Sequence, residues 1–228
     1  MQPMTATTEL LSEPLPEEPF ATIARWLAEA SAKLRQPNPN AMTLATATPD
    51  GRPSARVVLC KDIVADPGYV VFYTNYHSRK GRELEGNPRA AAVMHWDSLG
   101  RQVRLEGLVD QAPAPESDAY FASRALQSRI GAWASAQSEP VGSRAQLLAA
   151  VQEAARRFGV TPGSDAPAER IVPRPPHWGG YRLWAEAVEL WVQGDARIHD
   201  RARWSRALRR APDGRIEGGR WSATRLQP

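Results

Sequence analysis

Five stretches between Ala41 and Val109 carry the β-branched, apolar and aromatic residues of strands, and little chain separates them: Ala41–Thr48, Ser54–Lys61, Tyr69–Asn75, Ala90–Trp96 and Gln102–Val109. A parallel pair needs a crossover of about a dozen residues or more, which only the gap between Asn75 and Ala90 could hold, so the close spacing argues for antiparallel pairing. Pro49-Asp50-Gly51-Arg52 has the composition of a hairpin turn. The pattern predicts a mainly β fold with flanking helices, built as an antiparallel barrel and not as a doubly wound parallel sheet.

Helical spacing surrounds this block. Phe20, Ile23, Ala24, Leu27 and Leu34 form an apolar stripe that ends before Pro37. Ser78–Glu85 reads as a short helix stopped by Gly86-Asn87-Pro88, and Pro115–Ser135 and Ser143–Phe158 read as two longer ones. Gly159–Pro176 is a proline-rich loop. Strands return at Tyr181–Leu190, Ala196–Trp204 and Arg220–Leu226, with a turn at Asp213-Gly214. Residues 1–19, rich in proline and acids, are expected as a flexible leader to one domain spanning residues 20–228.

Composition removes several function classes. No apolar run approaches the ~20 residues that cross a bilayer, and the N-terminus lacks the basic-then-apolar order of a signal peptide, so no membrane partner and cytoplasmic residence are expected. Cys60 is the only cysteine, which excludes an internal disulfide and argues for a small core residue. His77, His95, His177 and His199 have no metal-ligand spacing, and no metal is expected. The net charge is +4, with arginines concentrated after Arg197. Without a recognisable nucleic-acid motif, anionic small ligands account for this as well as DNA does, and no nucleic-acid partner is expected.

What remains is a set of cations and hydroxyls. In Arg197-Ile198-His199-Asp200-Arg201, an extended backbone puts Arg197, His199 and Arg201 on one face, where a phosphorylated ligand would relieve their repulsion; an exposed basic strand is the plainer alternative. Arg56 and Lys61 end an apolar strand and point to opposite faces if it is regular, or toward one if it twists. Tyr73-Thr74 with Ser78-Arg79-Lys80 makes either a phosphate cradle at a helix start or an N-cap followed by solvated charges. Tyr120, Arg124 and Ser128, at i, i+4 and i+8, would share one helix face suited to a phosphate ester, or one that is merely solvated. Gln102 and Gln137-Ser138 add groups that read heterocycle edges. Together the clusters suggest two phosphate-bearing ligands.

In that order the residues resemble the pyridoxine/pyridoxamine 5′-phosphate oxidase family. The resemblance runs from about Ala41 to Pro228 through Arg56-Val57-Val58-Leu59-Cys60-Lys61, Phe72-Tyr73-Thr74-Asn75, Ser78-Arg79-Lys80-Gly81 and Arg101-Gln102-Val103. It continues through Tyr120-Phe121-Ala122-Ser123-Arg124, Ile130-Gly131-Ala132-Trp133, Gln137-Ser138, Trp178-Gly179-Gly180-Tyr181-Arg182, Arg197–Arg201 and the closing Arg225-Leu226-Gln227-Pro228. It implies an FMN-binding split β-barrel, a homodimer with FMN at the subunit interface, and a C-terminal dimerisation and substrate segment at about 178–228. The implied cofactor contacts are Arg56, Val57, Val58, Leu59, Cys60, Lys61, Tyr73, Thr74, Arg79, Lys80, Gln102, Gln137, Ser138, Trp191 and Arg201. The implied substrate contacts are Lys61, Tyr120, Arg124, Ser128, Arg197 and His199, the last two catalytic. The implied reaction oxidises pyridoxamine and pyridoxine 5′-phosphates to pyridoxal 5′-phosphate, with O2 as acceptor and H2O2 as product. Two other readings stand beside it: a flavin oxidase of another heterocycle, as in phenazine pathways, and a non-catalytic FMN or B6-phosphate binding module.

Overall fold

The computed structural model describes residues 9–34, 37–160 and 172–228; the first eight residues of the expected leader and most of the expected loop at 159–176 lie outside the described residues. Helix α1 (Phe20–Lys33) follows a proline that has no capping side chain. The Glu18 carboxylate serves instead, accepting from the backbone N–H groups of Phe20 and Ala21 at 2.6 and 3.1 Å. The helix buries Phe20, Ile23, Trp26 and Ala30. Ala24, expected on the apolar stripe, is exposed, and the larger Trp26 takes the buried position.

Strands β1 (Ala41–Ala47) and β2 (Pro53–Leu59) form the predicted hairpin, with Thr46 opposite Ser54 and Leu44 opposite Arg56. Gly51 supplies the left-handed residue of its turn at φ +87°. A three-residue strand not foreseen, β3 (Asp62–Val64), pairs with β4 (Tyr69–Asn75). Helix α2 (Arg79–Gly86) is capped by Ser78, whose Oγ accepts from the Gly81 N–H at 3.4 Å. Strands β5 (Arg89–Trp96) and β6 (Arg101–Gln111) follow. The predicted helix at Pro115–Ser135 is two helices, α3 (Ala114–Ser123) and α4 (Leu126–Ala134), because Arg124 and Ala125 adopt extended ψ angles of 149° and 140°. Helix α5 (Arg144–Arg157) starts at a capping Ser143.

Strand β7 (Trp178–Val192) is the longest, at 15 residues. Strands β8 (Asp200–Ser205) and β11 (Ser222–Leu226) extend the sheet beside it, and β9 (Leu208–Arg210) and β10 (Ile216–Gly218) form a separate small hairpin. The main path is β11-β8-β7-β6-β5-β1-β2, every pairing antiparallel. The sheet branches at β7. Its first half (178–184) lies between β6 and β4, and its second half (187–192) between β6 and β8. The sheet thereby wraps a core that includes Phe72, Met94, Leu105, Leu183, Leu190 and Trp204, all nearly inaccessible; each such burial contributes about 1.5–3 kcal/mol. A second cluster, with Phe121, Ile130, Ala155 and Trp178, fastens α3–α5 to the start of β7.

Two expectations are corrected. Residues 9–19 are not a free leader. The Leu11 N–H donates to Asp200 Oδ2 at 2.7 Å, Trp204 Nε1 donates to the Pro16 carbonyl at 2.8 Å, and Arg225 pairs with Glu13 at 2.9 Å. The predicted strand from Ala196 begins only at Asp200, because Asp195–Arg197 forms a 3-10 turn with Ala196 and Arg197 at φ +51° and +65°. Alternation along Arg197–Arg201 therefore fails, and Ile198 is exposed. Among the described residues, no helix is long and apolar enough to cross a membrane.

Candidate active site

A cleft of about 1050 Å³ opens between the β1–β2 hairpin, the end of β4, α2 and the α3–α4 junction. Most of the residues singled out from the sequence line it: Arg56, Val57, Val58, Leu59, Lys61, Tyr73, Thr74, Arg79, Lys80, Tyr120, Arg124, Ser128, Gln137 and Ser138. Regular alternation would have separated Arg56 from Lys61. Strand β2 ends at Leu59, however, and Lys61 falls between β2 and β3, so both reach the same cleft. Tyr120, Arg124 and Ser128 do not share a helix face. They converge because the chain breaks at Arg124.

At one end of the cleft, Lys80 is buried and its Nζ donates to Thr74 Oγ1, Ser78 Oγ and Gln137 Oε1 at 3.0, 3.1 and 3.1 Å. All three acceptors are neutral, and among the described residues no carboxylate pairs with this ammonium. Burial, with Arg56 nearby, pushes Lys80 down to about 8 against an opposing pull from Glu83. Arg56 donates to Thr46 and, at 3.3 Å, to the Leu44 carbonyl across the hairpin, and to Ser54 two residues earlier on its own strand. Arg79 Nε donates to Glu83 at 2.9 Å, and neither of its terminal nitrogens has a partner among the described residues. Ser78 acts as the N-cap and also accepts from Lys80, which is buried and not a solvated charge.

At the other end, three aromatic rings stack. Tyr73 lies 3.9 Å from Tyr120 and 5.5 Å from Trp178, within 16° of parallel to each. Burial raises Tyr73 to about 12, so its phenol stays protonated. Arg124 spreads over Trp178 at 4.7 Å and Lys61 over Tyr120 at 5.9 Å. The Arg124 Nη1 is buried with no hydrogen-bond partner, and burial lowers this group's pKa. A cation held in a fixed position without a counter-charge is the donor arrangement for an anion arriving from outside.

The remaining site residues lie elsewhere on the chain. Cys60 is buried in the core, its thiol donating to the Asp62 carbonyl at 3.3 Å and pushed by burial to about 12, so its side chain does not line the cleft. Gln102, Trp191 and Arg201 are adjacent across β6, β7 and β8. The His199 ring packs against Trp191 at 4.5 Å, and the Gly194 N–H donates to His199 Nδ1 at 3.2 Å. Arg201 is paired with Glu189 at 2.8 Å and donates to the Gln227 carbonyl at 2.9 Å. Arg197 is exposed on the 3-10 turn. None of these borders the cleft of the same chain. Thr46, Ser54, Glu83 and Trp178 were not foreseen as site residues. The hairpin register put the first two beside Arg56, and the i,i+4 spacing of Glu83 from Arg79 was a usable signal.

The pyridoxamine 5′-phosphate oxidase family matches residues 27–157, and the pyridoxine 5′-phosphate oxidase C-terminal dimerisation region matches 178–228. Curated pyridoxine/pyridoxamine 5′-phosphate oxidases of Burkholderia lata and Bordetella petrii are 49% and 50% identical, covering 92% and 96% of this chain and 89% and 93% of their own. Among solved structures, PhzG from Burkholderia lata in complex with tetrahydrophenazine-1-carboxylic acid superposes with a TM-score of 0.81 at 32% identity, covering 98% of this chain and all of that one. A pyridoxamine 5′-phosphate oxidase-related, FMN-binding protein of Nostoc punctiforme shares the fold at 16% identity, with a TM-score of 0.64 over 91% of this chain and 96% of that one.

Proposed function

Because the chain belongs to the pyridoxamine 5′-phosphate oxidase family, whose members are FMN-dependent oxidoreductases, we propose that it oxidises pyridoxamine and pyridoxine 5′-phosphates to pyridoxal 5′-phosphate. The alcohol and O2 yield the aldehyde and H2O2. The amine, O2 and water yield the aldehyde, ammonia and H2O2. The observation that carries this reading is Arg124 with its buried, unpartnered Nη1, which together with Lys61, Tyr120 and Ser128 makes an anion site separate from the Arg79–Lys80 end. A cofactor that brings one phosphate and a substrate that brings another would use both.

The donor set fits FMN. Two terminal nitrogens of Arg79 and an ammonium without a carboxylate partner suit its phosphate, and Thr74, Gln137, Ser138, Tyr73, Lys61 and the β2 backbone from Arg56 to Leu59 would hold the remainder. When bound, FMN supplies the two-electron redox chemistry. Lys61, Tyr120, Arg124 and Ser128 would grip the substrate phosphate. The Gly194 N–H occupies Nδ1 and leaves Nε2 as the ring nitrogen that can face a ligand, and Arg197 and His199 would orient the pyridine ring and its reacting carbon. These two, with Gln102, Trp191 and Arg201, lie away from the cleft of their own chain. The matched dimerisation region supports their delivery by a second copy, in a homodimer whose cleft each subunit completes for the other.

The test is an absorbance spectrum of the purified yellow protein before and after anaerobic addition of pyridoxamine 5′-phosphate. Bleaching of the flavin band is expected, and a flavin-loaded protein that bleaches with no B6 phosphate refutes the reading. The 32% identity to PhzG favours a second reading, oxidation of another heterocycle. Bleaching by tetrahydrophenazine-1-carboxylic acid and not by the B6 phosphate would establish it. Binding of B6 phosphate without bleaching would mark a binding module instead.

A further inference from the structure

Behind the Arg79–Lys80 end of the cleft sits a carboxylate that a phosphate site should avoid. Glu83 is buried, and both of its oxygens are engaged. Oε2 accepts from Thr46 Oγ1 at 2.5 Å, Ser54 Oγ at 2.6 Å and Arg56 Nη2 at 3.2 Å, while Oε1 accepts from Arg79 Nε at 2.9 Å. Among the described residues Arg56 and Arg79 have no other ion pair. By charge alone Glu83 would weaken the binding of an anion. Its geometry has the opposite effect.

We propose that Glu83 is a positioning residue for the cofactor phosphate, fixing the Arg56 and Arg79 guanidiniums from behind without itself touching the ligand. The inference rests on the FMN reading above. Arg79 opens α2 and its side chain is largely exposed, so an untethered guanidinium would sample many rotamers. Anchoring it through Nε leaves both terminal nitrogens for the ligand, the edge that pairs with two phosphate oxygens. Arg56 is gripped on both terminal nitrogens by Leu44, Thr46, Ser54 and Glu83, which makes it a fixed wall of positive potential. The charge count closes as well: Arg56, Arg79 and Lys80 against Glu83 leave two positive charges, the complement of a phosphate dianion. Burial alone would raise the pKa of Glu83, yet the hydrogen bonds from Ser54, Thr46, Arg79 and Arg56 hold it at about 2, so the carboxylate is ionised wherever the enzyme would work.

The experiment titrates flavin-stripped protein with FMN and, separately, with riboflavin, which lacks the phosphate, following quenching of flavin fluorescence. Glu83→Gln keeps the hydroxyl contacts and removes the charge that holds the arginines. It is expected to weaken FMN about tenfold, the loss of one charge-assisted hydrogen bond, and to change riboflavin affinity by less than about twofold. Tighter FMN binding would mean that the carboxylate merely repels phosphate, and equal weakening of both flavins would mean that it merely supports the cleft; either overturns the proposal. Should Glu83→Gln not fold, Glu83→Asp retains the charge but cannot reach both arginines, and the same comparison decides. Wild-type protein that does not prefer FMN over riboflavin would refute the FMN reading itself, a result distinct from any outcome of the variants.

Discussion

Replacing Arg124 by methionine should make the protein more stable and the enzyme worse, and the structure sets the size of both effects. The guanidinium sits at the α3–α4 break, 4.7 Å from the Trp178 ring and 5.6 Å from Phe121, with Nη1 buried and unpartnered. An unsatisfied buried donor costs about 1–3 kcal/mol, and the contact with the rings returns about 0.5–2 kcal/mol. Methionine keeps the apolar stem of the side chain and removes both contributions. At the middle of each range, about 2 against about 1.2 kcal/mol, the ligand-free variant should gain about 1 kcal/mol, a rise of roughly 2–4 °C in melting temperature for a chain of this size. Activity moves the other way. Loss of a hydrogen bond to a charged phosphate removes about 1.5–3 kcal/mol, so kcat/KM with pyridoxamine 5′-phosphate should fall by about 10- to 150-fold. With unphosphorylated pyridoxamine, which brings no phosphate to Arg124, kcat/KM should be nearly unchanged. Thermal unfolding of the flavin-free protein and oxygen uptake with the two substrates measure all three quantities. A variant that is less stable, or that loses activity equally toward both substrates, would refute the claim that Arg124 is held unsatisfied for a phosphate.

Lys80 predicts a pH dependence. Burial and then Arg56 lower its pKa to about 8, and a bound phosphate favours the protonated form, so FMN binding takes up a proton above pH 8. FMN affinity should be highest below pH 8 and fall toward about tenfold per pH unit above it, a fall absent in Lys80→Met; a wild-type Kd constant from about pH 7 to 9.5 counts against the site. Over the interval from about 8 to the ordinary lysine range the flavin-free protein should gain stability, because the unfolded chain still holds the proton that the folded chain has released. Mixed dimers test the shared cleft: Arg124→Met and His199→Ala chains, each nearly inactive alone, should recover up to about a quarter of wild-type activity when refolded together, since half of the dimers then carry one intact site. No recovery despite subunit exchange would mean that one chain supplies both residues.

Strand content was legible because alternation and turn chemistry are local, and β4 runs over the predicted Tyr69–Asn75. Strand β7 begins at Trp178, three residues before the predicted start at Tyr181; Gly179-Gly180 lack the side chains that mark a strand. They are glycines because Cβ atoms there would meet Tyr76 Oη at 2.0 Å and the Tyr73 ring at 2.9 Å, a packing requirement invisible along the chain. The break at Arg124 carried no glycine or proline, and helical spacing continued across it. The bend follows from tertiary packing, with Phe121 on one side and Leu126 and Ile130 on the other joining one cluster. Ala196 and Arg197 in left-handed backbone had no sequence signal either. Residues of the cleft were legible as clusters of cations. That Arg197, His199 and Arg201 lie outside it was not, since alternation describes faces of a strand and not the relation between distant strands.

Strand β7 also sets the order in which the chain is able to acquire its structure. Strand β4 finds its partner in residues 178–184 and β6 in 181–192, so until synthesis passes Val192 both present unpaired edges. A nascent chain of the first 160 residues would hold β1, β2, β5 and β6 as an open ribbon with Phe72 and Leu105 exposed, a species prone to edge-to-edge association. The pairing of segments more than a hundred residues apart favours slow folding. Truncation before Trp178 should then yield insoluble protein and not a smaller folded unit, because the last quarter of the chain carries the strand on which β4 and β6 close.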